Sequence, residues 1–363
     1  MFMAQLLRMK TMNPIPRPNR KLILTAVLFS ALATMPGCTK PELRQHRDSR
    51  PLMGTTVEIV TEGPDPARLE HATDAAYAEM TRLSDMMNHN NPQNLVSAIN
   101  REAGKRPVAV APELMYVLRM ARTMSERSQG AFDVTVGSLT GWRFDPERPA
   151  MPSAAEIRAQ LPLVDYRNLV LDEANRSAYL AKPGMRIDLG GIAKLYIVHA
   201  GMGMLKRNGV VHAMINAGGD VEVLGKFEGR LWRVGIRDAR APDRLFGIVE
   251  LKYGFVVSSG DYERYFVKNG KRYHHILDPR TGYPAEGPRG VTLIGDDLDL
   301  VNGFSAAIMA MGEARGRALL EQYLNLEGVI FNRDGTVWVS PALVRNHKFE
   351  RLDEAKPATV ARD

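Results

Sequence analysis

The stretch Ile187-Asp-Leu-Gly-Gly-Ile-Ala-Lys194 places an acid, two glycines and a lysine between hydrophobic segments. We interpret it as the end of a strand followed by the first turns of a helix. Glycine lets the backbone approach a ligand closely, and the positively polarised start of a helix suits a pyrophosphate. Lys194 could then reach a phosphate or a ring carbonyl, although a structural turn with a solvated lysine would leave the same pattern.

Three more clusters of glycine and polar residues follow. They are Asn216-Ala-Gly-Gly-Asp220, Ser258-Ser-Gly-Asp-Tyr-Glu263 and His274-His-Ile-Leu-Asp-Pro-Arg-Thr-Gly282. Each joins hydrophobic runs and carries a carboxylate or a basic residue. Four such clusters between residues 187 and 282 predict one large phosphate-bearing ligand held by several segments, whereas a single nucleotide fingerprint would not need so many.

Two further positions are candidates for chemistry. His275 lies beside Asp278-Pro279 in a predicted loop, and a histidine can take a proton from a hydroxyl nucleophile. Alternatively, His275 caps a turn and His274 carries the function. Gly130-Ala-Phe-Asp-Val-Thr-Val-Gly137 is predicted as a loop entering a strand, where Phe132 could stack on a ring and Asp133 could accept a hydrogen bond. A phenylalanine in such a place is equally typical of the core.

Charge and composition exclude a nucleic-acid-binding protein. The net charge is +7, but residues 1–50 contain nine Lys and Arg and two acids, so this segment carries all of it. The rest of the chain is neutral, and at 45% hydrophobic and 25% charged residues the composition is that of a globular protein.

The N-terminus has the pattern of an export signal. A basic segment ends at Lys21, the apolar run Leu22 to Met35 is too short to span a bilayer, and Gly37-Cys38 follows. We predict a lipoprotein-type signal peptide at 1–37, a tether at 38–50, and a location on the periplasmic face of a bacterial membrane with Cys38 lipidated. The alternative is a conventional signal peptide that is cleaved off, in which case Cys38 has no special role. Cys38 is the single cysteine of the chain, so residues 51–363 hold no disulfide.

Hydrophobic periodicity predicts an α+β fold. Helices are expected at 66–87, from Pro112 to about Ser128, after the capping box Ser153–Glu156, from about Gly190 to Gly209, and twice within 300–324. Strands are expected at Met53–Val60, repeatedly between 211 and 295, and in a hairpin over Val329–Val339. No linker separates domains, so 51–345 is expected to be one unit, followed by a polar tail at 346–363.

Taken in order, these motifs resemble those of the ApbE-type FAD:protein FMN transferases over about residues 51–340. The matching segments are Met53-Gly-Thr, Asn100, Phe132-Asp-Val-Thr-Val-Gly, Asp188-Leu-Gly-Gly-Ile-Ala-Lys, Gly218-Gly-Asp220, Ser259-Gly-Asp-Tyr, His275-Ile-Leu-Asp-Pro-Arg-Thr-Gly and Ala310-Met-Gly312. The resemblance implies a two-lobed, T-fold-related unit with an FAD cleft between the lobes. It also implies transfer of FMN from FAD to a Ser or Thr hydroxyl of a membrane flavoprotein, with release of AMP.

The resemblance assigns roles to particular residues. His275 would be the catalytic base. FAD would be held by Met53, Ala131, Phe132, Asp133, Asp188, Lys194 and the backbone at Leu277. The family also needs Mg²⁺, usually bound by an Asp and by a Thr four residues later, and those positions hold Asn302 and Ala306 here. The metal ligands that remain would be Asn302 and the carbonyl of Gly191.

These departures leave two other functions open. One is an FAD-binding paralogue that does not turn over and acts in flavoprotein assembly, for which FAD binding without transfer would be diagnostic. The other is an FAD pyrophosphatase, in which water replaces the acceptor hydroxyl and FMN and AMP form without an acceptor protein.

Overall fold

A computed structural model describes residues 42–89 and 91–352. The predicted signal peptide, Cys38 and residues 353–363 lie outside this part of the chain. Within it, no helix combines the length and the apolar character needed to cross a membrane.

The described residues mix helices and strands, which confirms the predicted α+β class. The strands are β1 (Arg44–Leu52), β2 (Thr55–Gly63), β3 (Val108–Ala109), β4 (Leu169–Asp172), β5 (Ser177–Leu180), β6 (Ala213–Ala217), β7 (Asp220–Leu224), β8 (Trp232–Arg237), β9 (Leu245–Leu251), β10 (Tyr253–Gly260), β11 (Tyr265–Lys268), β12 (Lys271–His274), β13 (Gly290–Gly295), β14 (Leu326–Phe331), β15 (Val337–Val339) and β16 (Lys348–Arg351). The α-helices are α1 (Pro66–Met87), α2 (Leu95–Arg101), α3 (Pro112–Arg127), α4 (Ala154–Gln160), α5 (Ala193–Arg207), α6 (Leu298–Val301), α7 (Phe304–Met311), α8 (Glu313–Leu320) and α9 (Pro341–Asn346).

An antiparallel sheet of eight strands forms the centre, in the order β1-β2-β6-β7-β10-β13-β14-β15. Its central strands are buried on both faces, and alternate residues of these strands belong to different cores. On β2, Val57 and Ile59 belong to the core shared with α1 and α5, whereas Val60 belongs to the opposite core. Helices therefore cover one face, and the sheet β16-β9-β8 covers the other.

Residues 95–180 form a separate group of short elements, comprising α2, α3, α4 and the small sheet β3-β5-β4. This group joins the main core through apolar residues of α3, such as Leu114 and Leu118, which are fully buried. The strands β11 and β12 form a separate two-stranded hairpin. The hairpin leads directly into the predicted catalytic loop.

The predicted tether and the predicted polar tail both contain strand residues. Arg44–Leu52 is an edge strand paired with β2 over nine residues, so the sheet begins inside the predicted tether. Lys348–Arg351 pairs with β9, so strand structure continues into the predicted polar tail. Both edge strands are rich in charged residues, which protects an exposed edge from aggregation but conceals the strand from a hydrophobicity pattern.

The helix predictions at 66–87 and from Pro112 are confirmed, and the capping box at Ser153 and Glu156 is present. Three differences stand out. The helix expected from Gly190 begins at Ala193, the segment after Asp133 is a 3-10 helix rather than a strand, and 298–320 contains three helices. The break at Gly303, where φ is 77°, separates α6 from α7.

Candidate functional site

The turn that contains Asp188 is held from two sides. Asn100 on α2 bonds both backbone groups of Ile187, accepting from its N–H at 2.7 Å and donating to its carbonyl at 3.1 Å. The Asp188 carboxylate accepts from Gly190 N at 2.8 Å and lies 3.2 Å from His89 Nδ1. Asn100 and Gly190 therefore fix a carboxylate whose side chain is still 39% exposed.

Asp188 and His89 form a charge pair at this turn. Burial alone would raise the pKa of Asp188, but the hydrogen bond with His89 and nearby positive charges outweigh burial and lower it. The same hydrogen bond raises the pKa of His89. No sequence motif indicated His89, which follows the end of α1 and contacts Asp188 only because of the tertiary fold.

Lys194 is not a freely solvated lysine. Its ammonium group lies 2.6 Å from Asp220 Oδ2, and Asp220 is buried at the start of β7 and accepts from Ser258 N at 3.2 Å. Strand alternation explains this placement. Val221 and Val223 enter the opposite core, so Asp220 and Glu222 face α5. One turn beyond Lys194, His199 pairs with Glu222 at 3.1 Å.

The two adjacent histidines have different environments. His274 is buried, its Nε2 lies 2.9 Å from the carbonyl of Ala285, and its Nδ1 accepts from Ile276 N at 3.4 Å. In His275, Nδ1 is buried and makes no hydrogen bond with any described residue. Burial, reinforced by the charge of Arg264, lowers the pKa of His275 to about 3. His275 is thus a neutral imidazole, and its Nδ1 has no hydrogen-bond partner among the described residues. Both ring nitrogens of His274 form hydrogen bonds that stabilise the fold.

The loop after His275 is closed by Asp278. Its carboxylate binds the Arg280 guanidinium at 2.8 and 3.0 Å, and Arg280 also donates to the carbonyl of Ala310 at 3.0 Å. Leu277, whose backbone was predicted to contact FAD, forms a bridge with Pro284. These contacts fix the conformation of the loop, so its backbone groups have defined positions.

The side chains of residues 131–133, which were predicted to hold FAD, are buried among other protein residues. Asp133 accepts from Thr135 N at 2.8 Å, Thr135 Oγ1 at 2.6 Å and Tyr166 N at 2.8 Å, and burial raises its pKa. Its carboxylate orders the loop and is engaged through both oxygens. Ala131 packs against Ala285 and Ala310.

Phe132 could have stacked on a ligand ring or belonged to the core. In the structure its side chain lies in the core. It is 7% exposed, and a Cβ added at Gly191 or at Gly303 would lie 3.2 or 3.3 Å from its ring. A side chain at either position would press tightly against this ring. Phe132 therefore holds the Gly191 turn against the α6–α7 junction.

Met53 occupies the turn between β1 and β2, with φ of 55°, followed by Gly54 at 70°. This turn lies beside the Gly218-Gly219 turn, because a Cβ at Gly218 would come within 2.3 Å of Thr55 Oγ1. Two of the sequence motifs therefore meet at one end of the large sheet, where Lys194 and Asp220 also lie.

Asn302, at the predicted metal position, is buried, and its side chain connects two other segments of the protein by hydrogen bonding. Its amide nitrogen donates to the carbonyl of Ile192 at 2.8 Å and lies 3.0 Å from the sulfur of Met120. Ser305 is bonded to Ser259 at 2.9 Å, and Ala306 has no side-chain oxygen. Across residues 42–352 apart from Asn90, no three His, Cys, Asp or Glu side chains are grouped closely enough to hold a metal ion.

Hydrogen bonds, ion pairs and packing contacts bring most of the sequence motifs together in the structure. Arg264 joins them unexpectedly, because it pairs with His275 across the base of the β11–β12 hairpin. An Asn-Gly turn signal at 269–270 could have located it, since this turn fixes the hairpin register. The resulting set combines a neutral imidazole, a buried carboxylate–lysine pair, an exposed arginine and glycine turns.

Comparisons with known proteins agree on one family. A model described as the ApbE family matches residues 53–330. An FAD:protein FMN transferase of Klebsiella pneumoniae (strain 342) is 33% identical over 303 residues, which cover 82% of this chain and 92% of the relative. Another, from Treponema pallidum, is 27% identical over 88% of this chain and 93% of its own length.

Solved structures show the same fold. The ApbE protein from Thermotoga maritima superposes with a TM-score of 0.76 at 32% identity, covering 83% of this chain and 99% of that one. The flavin transferase ApbE from Vibrio cholerae gives 0.73 at 27% identity, covering 84% and 99%.

Proposed function

This chain belongs to the ApbE family and is an FAD:protein FMN transferase, and we propose that His275 is the base of its transfer step. The observation that carries this proposal is the uncommitted Nδ1 of a neutral His275 beside the cationic residues of the site. A neutral imidazole has a ring nitrogen with a lone pair that can accept a proton, whereas a protonated imidazole has none.

We propose the following reaction. The hydroxyl oxygen of an acceptor Ser or Thr forms a bond to the FMN-side phosphorus of FAD, and its proton passes to His275. The bond between that phosphorus and the bridging oxygen breaks, and AMP leaves with the electron pair. Such transfers need little covalent chemistry from a protein beyond alignment and neutralisation of phosphate charge.

FAD would lie across the glycine turns, between the end of the large sheet and the group of elements at 95–180. Lys194, held by Asp220, would face a phosphate or the flavin, and the turn of Asp188 would order this side of the cleft. Phe132 and Asp133 would act by shaping the cleft, because their side chains are buried in the protein. The backbone at Leu277 remains a proposed FAD contact.

The described residues do not fit the Mg²⁺ site expected from the family. Mg²⁺ prefers charged, hard oxygen ligands in octahedral geometry. At this position Asn302 presents its N–H₂ group to the carbonyl of Ile192, and Ala306 presents a methyl group. Only neutral oxygens remain, including the proposed backbone ligand Gly191, so no step of the reaction is assigned to a metal here.

A transfer assay tests the function directly. The full mature protein, FAD and an acceptor fragment with a Ser/Thr flavinylation motif are expected to give in-gel flavin fluorescence and an acceptor mass gain equal to FMN. The same mixture without the acceptor fragment should release no AMP, because water should not replace the acceptor hydroxyl. Binding of FAD without labelling of any acceptor would favour the non-catalytic paralogue suggested by Asn302 and Ala306, and release of FMN and AMP without acceptor would favour the pyrophosphatase.

We also propose that the protein is exported and anchored through a lipid on Cys38, close to membrane flavoprotein acceptors. The support is the basic segment, apolar run and Gly37-Cys38 of the sequence. Cys38→Ser should move the protein from the membrane fraction to the soluble periplasmic fraction without changing FMN transfer in vitro. Equal membrane association of both forms would contradict lipidation at Cys38.

A further inference from the structure

We propose that Arg264 binds the pyrophosphate of FAD beside His275 and supplies positive charge at the reacting phosphate. This inference rests on the proposed function, because it places the FMN-side phosphate next to His275. It adds a residue that the sequence motifs did not single out.

Hairpin geometry places Arg264 next to the proposed base. Asn269 and Gly270 have φ of 51° and 74°, as a two-residue hairpin turn requires, and Tyr265 pairs with His274. The next cross-strand pair is Arg264 and His275, joined by a hydrogen bond from His275 N to the carbonyl of Arg264 at 3.1 Å. Cα atoms in such a pair are about 5.5 Å apart.

The charge of Arg264 reaches three separate parts of the site. It contributes to lowering the pKa of His275 after β12 and of Asp188 in the glycine turn, and it opposes the rise in the pKa of His89 after α1. These three groups are far apart in sequence. The guanidinium therefore lies within electrostatic range of three segments that are proposed to hold FAD.

The Arg264 side chain is exposed, and no ion pair or hydrogen bond joins it to a carboxylate of the described residues. Three other arginines of this region are paired, Arg237 with Glu263, Arg272 with Asp261 and Arg280 with Asp278. An unpaired guanidinium offers its planar donors to an anion, and phosphate oxygens match that geometry.

The hairpin that carries Arg264 is firmly held. Phe266 and Tyr273 stack at 5.3 Å, and Phe144 and Trp142 continue the stack at 6.2 Å each. Arg272 adds a hydrogen bond of 2.7 Å to the buried Asp261. Since the hairpin is fixed by contacts that do not involve the Arg264 side chain, a substitution there is expected to remove charge without unfolding it.

Cationic side chains can also compensate for the missing carboxylate ligand at the predicted Mg²⁺ position. Developing negative charge must be neutralised for phosphoryl transfer. Asn302 and Ala306 offer no charged oxygen to a cation, whereas Lys194 and Arg264 are cationic side chains that both act electrostatically on His275. In this chain these two side chains take over charge neutralisation.

FAD titration of the mature protein, followed by flavin fluorescence in the presence of EDTA, tests the proposal. Arg264→Gln should weaken FAD binding roughly tenfold or more, because a charge-assisted hydrogen bond to phosphate is lost. Arg264→Lys should retain part of the affinity. Lys268→Gln removes the same charge from the exposed outer part of the same hairpin, and it should bind FAD within about twofold of wild type.

Thermal unfolding of each variant without FAD provides the control for the fold, and the unfolding temperatures should agree. Wild-type affinity for FAD in the Arg264→Gln protein, or an equal loss in Lys268→Gln, would overturn the proposal. A wild-type protein that binds FAD through Arg264 but labels no acceptor would instead contradict the transferase function while leaving the phosphate contact intact.

Discussion

Replacing His275 with alanine is expected to lower FMN transfer by about 100-fold or more while FAD still binds, since general base catalysis typically contributes 10²–10⁴-fold. The reason is the position of His275. It is the neutral imidazole of the pair, it has a ring nitrogen without a partner in the described structure, and it adjoins the arginine proposed to hold the phosphate. The measurement is the rate of acceptor labelling at saturating FAD, together with the FAD dissociation constant.

His274 provides the matched control. Because its two ring nitrogens are bonded to the carbonyl of Ala285 and the N–H of Ile276, His274→Ala should mainly lower the unfolding temperature. Transfer by the folded fraction of that variant should stay closer to wild type. Undiminished labelling by His275→Ala would remove His275 from the mechanism, and a larger loss in His274→Ala than in His275→Ala would reverse the assignment.

The pH dependence follows from the same environment. Burial lowers the pKa of His275 to about 3, far below the ordinary value near 6.5, so the imidazole stays neutral as pH falls through that range. The rate of FMN transfer at low FAD concentration should therefore show no decrease near pH 6.5 caused by protonation of His275. The unfolded chain takes up this proton below pH 6.5 and the folded protein does not, so folding stability falls as pH decreases below 6.5. His275→Ala should lose less stability over that interval than wild type.

Much of the fold was predictable because local patterns and tertiary contacts agree. The helix α1 follows from apolar residues at helical spacing, and all of them are buried against the sheet and α5. The β14–β15 hairpin follows from strand patterns around Asp334-Gly335. The edge strands β1 and β16 were missed, because their charged residues carry no apolar alternation and only pairing with β2 and β9 makes them strands.

The site was predictable to the extent that its residues lie in glycine motifs. Asp188, Lys194 and His275 were identified in this way, and in the structure they contact His89, Asp220 and Arg264, respectively. His89 could not be found, since nothing in the local sequence signals a contact between a helix end and a turn about a hundred residues later. The roles of Phe132 and Asp133 depend on burial, which a local pattern does not reveal for residues in a loop.

The double change Asn302→Asp and Ala306→Thr is expected to make the stability of the protein depend on Mg²⁺. In the wild-type protein the Asn302 amide donates to the carbonyl of Ile192 at 2.8 Å in a fully enclosed position. An aspartate there would set a carboxylate oxygen against a carbonyl oxygen and leave a buried charge unpaired. Such a charge costs about 3–5 kcal/mol when no partner is present.

A divalent cation would remove this repulsion, because it can bind the new carboxylate, the threonine hydroxyl and the carbonyls of the Gly191 turn together. In EDTA, the double variant should therefore unfold several degrees below wild type, and Mg²⁺ at 100 times its dissociation constant should restore about 2.7 kcal/mol. Differential scanning calorimetry with and without Mg²⁺ measures both effects, and Ala306→Thr alone, which adds no charge, serves as the control. A wild-type unfolding temperature that rises with Mg²⁺ as much as that of the double variant would show that Asn302 already serves a metal site, and a double variant that ignores Mg²⁺ would show that these two positions do not form one.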